Sequence, residues 1–150
     1  MRTAIVIIIL GLFGLQEIEA AANLSLLSSW NYVDFTFESP EKRNEWIAIK
    51  GYENCTLAGI KVDKTGNYYV SLPRWRKNVP ATFGKVVFGD DGHFLVSPYP
   101  NWETNRLGNP DNLVSVLGFE IDSNNILWIL DQGKYEGKAA APSHSSQWIN

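Results

Sequence analysis

The chain has 150 residues, a formal net charge of −3, six tryptophans and one cysteine. A charge this close to neutral, with no basic face suggested, argues against a nucleic-acid partner. One cysteine excludes an internal disulfide, a redox pair and a cysteine-based zinc site, and leaves Cys55 either buried and free or bonded to another chain.

Residues 1–20 read as a cleavable signal peptide. Arg2 supplies a positive charge, Ala4 to Leu15 is an unbroken apolar run, and Ala20-Ala21-Ala22 supplies small residues for cleavage after Ala20 or Ala22. The apolar run is shorter than the roughly 20 residues a membrane-spanning helix needs. The expected location is therefore extracellular, with no membrane contact after cleavage. Arg2, Glu17 and Glu19 leave with this segment, and the remainder stays near neutral. What remains is long enough for one domain with a core of its own. Two sequons follow, Asn23-Leu24-Ser25 and Asn54-Cys55-Thr56, which makes Asn23 and Asn54 candidate glycosylation sites on a secreted chain.

After residue 28 no long stretch repeats apolar residues at helical spacing. Tyr32 to Phe37 alternates and predicts a strand, while Trp46 to Ile49 fits either a short strand or one turn of helix. Val62 to Val70 reads as a strand end, an Asp-led turn and a new strand, and Ile121 to Ile129 repeats that form 59 residues later. Val62 aligns with Ile121, Asp63 with Asp122, Tyr69 with Trp128 and Val70 with Ile129. Val87 to Leu95 is a related hairpin between them. In each, Asp accepts hydrogen bonds from the turn backbone, and Gly or Asn takes the positive φ a tight hairpin requires. Recurring hairpins predict an all-β fold, either a β-propeller or an ordinary sandwich.

Four further segments carry a resemblance. Pro73-Arg74-Trp75, then Val79-Pro80-Ala81-Thr82, then Pro98-Tyr99-Pro100-Asn101-Trp102, then Leu127-Trp128-Ile129-Leu130-Asp131-Gln132-Gly133 stand in order. With Trp30, Asp34, Phe35 and Phe37 upstream, they resemble the N-terminal region of the yellow / major royal jelly protein family over about residues 26–142. The resemblance implies the first blades of a six-bladed β-propeller over residues 21–142, incomplete in this chain because family members are about three times as long. Residues 143–150 form a tail that does not follow the family pattern, where an apolar strand is expected, and a truncated product is the reading that follows. The resemblance also places a cysteine ahead of the Leu-Trp strand in many members; Ser123-Asn124-Asn125 stands there instead, so a family-type bridge for Cys55 has no partner.

On physical grounds these motif residues read first as packing. Pro73 ends a strand because it lacks an N–H, Arg74 suits loop carbonyls, and Trp75 suits a neighbouring blade. Pro98 to Pro100 suits a stiff extended link, and Trp102 a gap between blades. Arg74 and Tyr99 are also the candidate ligand-facing residues of a central channel. By resemblance the ligand is a small aromatic amine or a catechol-type molecule, held by aromatic faces and charge pairing, and the alternative is a dopachrome-converting enzyme. Of the two histidines, His93 falls at a hairpin tip and His144 in the tail. With no metalloprotease, phosphate-loop or nucleophile-elbow motif, no catalytic residue, metal or cofactor is assigned. An incomplete propeller exposes blade edges, so self-association is also expected.

Overall fold

The structure is a computed structural model that describes residue 29 and residues 31–90, 92–139 and 144–149; the leader, Asn23 and Trp30 lie outside them. Antiparallel sheets dominate, with one short helix, as the hairpin pattern requires. Four strands, β1 (Gly59–Val62), β2 (Tyr68–Ser71), β3 (Phe83–Phe88) and β4 (Phe94–Pro98), pair in chain order into the first sheet. The second sheet begins with β5 (Val116–Ile121) and β6 (Ile126–Asp131). A two-stranded hairpin, β7 (Lys134–Tyr135) and β8 (Lys138–Ala139), follows, and β9 (His144–Ile149) then returns to pair with β6. Both sheets are open among the described residues.

All three predicted hairpins form. Val62 pairs with Tyr68 and Ile121 with Leu127, so the two Asp-led turns share one register. Asp63 Oδ1 accepts from the amides of Thr65 (2.9 Å) and Asn67 (2.8 Å), and Asp122 Oδ1 from those of Asn124 (2.8 Å) and Ile126 (2.9 Å). The positive φ falls on equivalent residues, Gly66 (88°) and Asn125 (66°).

Two expectations change, and one left open is settled. Tyr32 to Phe37 is not a strand of any length: only Phe35 makes a bridge, parallel to Val96, and the segment is also held by its rings, by the Asp34–Arg43 ion pair and by the Trp102 N–H on Thr36 O. Trp46 to Ile49 resolves as the end of a helix, α1 (Pro40–Ala48), and its cap. Ser39 accepts from the Lys42 amide, Pro40 stands in the first turn and Glu41 complements the helix dipole, which together start a helix whose apolar pattern is weak. The tail also differs. Its polar composition does not suggest a core strand, yet β9 pairs residue by residue with β6, from Asp131↔His144 to Ile126↔Ile149. Pairing satisfies β6 backbone groups irrespective of side-chain polarity.

The core has two parts. On the outer side of the first sheet, Trp46 and Phe35 cover Val70, Leu72, Ala81 and Val96. Trp46 donates its indole N–H to the Asn78 carbonyl (2.8 Å), and a Cβ at residue 51 would lie 2.0 Å from that indole, so only glycine fits at Gly51. Between the sheets, Tyr69, Phe83, Leu113, Val116, Leu127 and Ile129 form the second part.

The Asp63 turn has a measurable acid limb. Burial alone would raise its carboxyl, but hydrogen bonds from Asn67 and Thr65 outweigh it and hold the pKa down at about 2, against 3.8 for a free side chain. A carboxyl depressed on folding contributes stability above the unfolded value and loses it as pH falls toward the folded one. Asp63→Asn is expected to flatten the pH dependence of urea stability between pH 3.8 and about 2, leaving it parallel to wild type above that window.

Candidate functional site

Arg74 lies between the two sheets and is 1 % exposed. Each guanidinium nitrogen donates to backbone carbonyls: Nε to Val79 (3.0 Å), Nη1 to Leu113 (3.0 Å) and Val114 (2.8 Å), Nη2 to Pro80 (2.9 Å) and Asn105 (2.5 Å). A guanidinium has five N–H groups, and five carbonyls receive them. Burial pulls its pKa down to about 10, with the Asp131 charge opposing, so it stays a cation at neutral pH. The geometry is that of a tie between segments, with no donor left for a ligand.

Asp131 faces the same segment from the other side and is fully buried. Its carboxylate accepts from the amides of Val114 (2.6 Å), Ser115 (2.8 Å) and Gly133 (2.8 Å). Residues 113–115 are thus held by a cation on their carbonyls and an anion on their amides. Gly133 takes φ 63°, and the chain turns there after β6. Ser115 Oγ accepts from the Arg74 amide (2.9 Å). Thr82 Oγ1 donates to Leu72 O (3.0 Å) and accepts from the Val116 amide (2.7 Å), which joins the sheets once more.

Asn105 completes the network and carries no motif. Its Oδ1 accepts from the amides of Thr82 (3.0 Å) and Phe83 (3.1 Å), and its Nδ2 donates to the carbonyls of Tyr99 and Asn101, both 3.1 Å. Only the fold brings those four groups around it, so nothing in the polar stretch from Asn101 to Arg106 marks it out.

Tyr99 is half-buried, and its ring meets Tyr69 edge-on at 5.2 Å and Phe83 at 6.3 Å. Phe119 packs edge-on against Phe83 at 4.9 Å and extends this aromatic layer to the second sheet. Burial, and then Tyr99 and Asp63, push the Tyr69 phenol up to about 12; burial and Asp63 also raise that of Tyr99. Arg74 and Tyr99 therefore meet only through Asn105. The chain bends at a cis Tyr99–Pro100 bond instead of running on as an extended link. Trp102 seats the N-terminal segment rather than a gap between sheets: its ring lies 5.6 Å from Phe37 and its N–H donates to Thr36 O (3.0 Å). Trp75 is half exposed.

Among the described residues, besides a cavity of about 490 Å³ beside Tyr52 and Cys55, two more are lined by charged groups. One of about 480 Å³ is lined by Tyr32, Asp34, Arg43, His93 and Phe94, with Asp34 and Arg43 paired at 2.6 Å; exposed His93 stands at the hairpin tip where its sequence position put it. The other, about 630 Å³, is a groove floored by Phe37, Trp46 and Trp102 and rimmed by Lys42, Glu45 and Arg106. Asn54 ends a short 3-10 turn, half-buried beside an exposed Thr56. Cys55 has a free thiol, pushed up to about 12 by burial. Among the described residues no group of three His, Cys, Asp or Glu side chains could hold a metal, and no helix is long and apolar enough to cross a membrane.

The site is a packing node in an all-β protein of paired antiparallel sheets, and sequence comparison supplies the lineage. No family model matches the chain. Among curated proteins it is similar to a dopaminechrome tautomerase of Drosophila melanogaster, 29% identical over 125 residues, which cover 79% of this chain and 27% of that protein. Protein yellow of Drosophila guanche is 31% identical over 119 residues, 77% of this chain and 21% of its own length. Protein yellow of Drosophila pseudoobscura pseudoobscura is 28% identical over 135 residues, 87% of this chain and 24% of its own length. The chain belongs to the yellow / major royal jelly protein family. It spans about a quarter of the length of the curated relatives it matches.

Removing the tie should be costly. Arg74→Ala strands five carbonyls and leaves Asp131 without its opposing charge, and is expected to lower stability by about 3–5 kcal/mol in urea titrations. Arg74→Lys should recover little of this, because an ammonium cannot reach carbonyls on both sides of a planar fork.

Proposed function

We propose that this is a secreted protein of the yellow type whose two sheets are the first blades of a β-propeller, and that it serves as an extracellular binding or structural protein. The observation that carries the reading is the way the two sheets join. Repeat-related hairpins stack face to face through an aromatic layer, and the ionic groups at that joint, Arg74 and Asp131, are spent on the backbone. Such a region supports a site rather than performing acid–base chemistry, which needs a proton-transfer group able to reach substrate. Charge, apolar run and small residues at the N-terminus support secretion, and an exposed Thr56 is compatible with modification at Asn54.

The ligand class we favour is a small aromatic amine or catechol-type molecule. Tyr99, half-buried at the rim of the aromatic layer, is the residue with a ring to offer it. Arg74 would then act only through the backbone it holds. A second reading, dopachrome conversion, is favoured by one observation, the similarity to a dopaminechrome tautomerase.

Calorimetric titration of the secreted protein with dopamine and serotonin, alongside the absorbance of dopaminechrome, separates the readings. Saturable heat with a stable chromophore is the expected result, and it should weaken severalfold in Tyr99→Ala. Enzyme-dependent loss of the chromophore would move the assignment to the second reading. Neither binding nor turnover would leave only the structural role.

A further inference from the structure

Two loops leave the same end of the two sheets and meet there. The Asp-led hairpin tips touch at one end, where the Lys64 amide donates to Asn125 Oδ1 (2.9 Å), so β2 and β6 run side by side and both exit at the other. From β2 the chain enters residues 72–82, and from β6 it enters the β7–β8 hairpin. The Glu136 amide donates to Arg74 O (2.9 Å) and fastens the hairpin to the start of the first loop. This contact lies beyond the strand ends, clear of the sheet faces on which further blades would stack.

Both tips are fixed. Buried Arg74 closes the first loop across its base by donating to Val79 O and Pro80 O, and the Asn78 carbonyl accepts from Trp46. Between these ties Trp75, Arg76 and Lys77 are exposed, Trp75 by half of its surface. In the hairpin, Glu136 and Gly137 take φ 50° and 75° in a two-residue turn. Half-buried Tyr135 lies within electrostatic reach of Arg74 and pairs with Lys138 across the ladder. Opposed residues share a face, so Lys138 stands on the side turned to the first loop and Lys134, opposite Ala139, on the other.

Charge sets this end apart. Lys42, Arg43, Lys50, Lys61 and Arg106 each pair with a carboxylate. Among the described residues Arg76, Lys77, Lys134 and Lys138 pair with none, and the two tips carry one acid, Glu136. Uncovered cations gathered at one end of a chain of net charge −3 make a local site for an anion. We propose that this end binds an acidic polysaccharide: Arg76, Lys77 and Lys138 take its sulfate or carboxylate groups, and Trp75 takes the flat C–H face of a sugar ring. A guanidinium fork matches such oxyanions, and a linear polymer charged at intervals reaches both tips at once. One indole among separated cations offers little apolar surface to a bilayer, which argues against a lipid partner. Only the place of encounter, outside the cell, rests on the secreted reading; binding does not.

Heparin binding by the purified chain tests this, with neutral dextran and phosphatidylserine vesicles alongside. Binding to heparin is expected, with none to dextran, and it should weaken as salt rises because the contacts are ionic. Arg76→Ala combined with Lys77→Ala should weaken it by up to about tenfold, the scale of two exposed ion pairs. Lys138→Ala, on the other tip, should weaken it severalfold, while Arg76→Lys, which keeps the charge, should retain most of it. Trp75→Ala should cost affinity without changing the salt dependence, since an indole carries no charge. Lys42→Ala removes an exposed cation elsewhere and should change nothing. The substituted side chains are all exposed, so the variants should keep the urea midpoint of wild type. Absence of heparin binding would overturn the proposal, as would tip variants that bind like wild type or a Lys42→Ala that binds as weakly as they do. So would vesicle binding at least as tight as heparin binding, which would make this end a membrane surface.

Discussion

Everything at the centre of this molecule depends on how one short segment, residues 113–115, is held. It carries the chain from the loop after the first sheet into β5, and it does so where water is excluded. Buried backbone groups must find partners, and here they find ions: Arg74 takes carbonyls of Leu113 and Val114, and Asp131 takes amides of Val114 and Ser115. Burying either charge alone would be unfavourable. Held on opposite edges of one strand of backbone, they offset each other and fix its direction. The aromatic layer and the repeat-related contacts between the sheets then fall into register.

That arrangement explains why motif residues in this family-like sequence look functional and behave structurally. Pro73-Arg74-Trp75 and Val79-Pro80-Ala81-Thr82 lie on the two arms that Arg74 joins, and Asp131-Gln132-Gly133 supplies the counter-charge and the turn. Their spacing follows from one set of hydrogen bonds.

Much of the fold was legible because it is written locally. Asp63 and Asp122 mark turns through bonds to amides two and four residues on, a range the sequence displays directly. Helix α1 was less so: its start depends on Ser39 and Pro40, while its burial rests on the single residue Trp46, which leaves no periodicity to read. Asn105 was not legible at all, since its partners come from Thr82, Phe83, Tyr99 and Asn101. Trp75 and Trp102 show the opposite error. A large aromatic suggests a buried joint, but its position in the sequence does not say which joint, and Trp102 serves the N-terminal segment while Trp75 stays half exposed.

The central claim is that opposite charges on one segment hold the two sheets together, and amide hydrogen exchange of Val114 and Ser115 tests it most directly. Both amides should exchange only through global unfolding, with protection equal to that of the β6 core, and both should lose protection in Arg74→Lys while the β1–β2 hairpin keeps its own. Exchange of Val114 and Ser115 at the rate of the exposed turn amides in wild type would contradict the account.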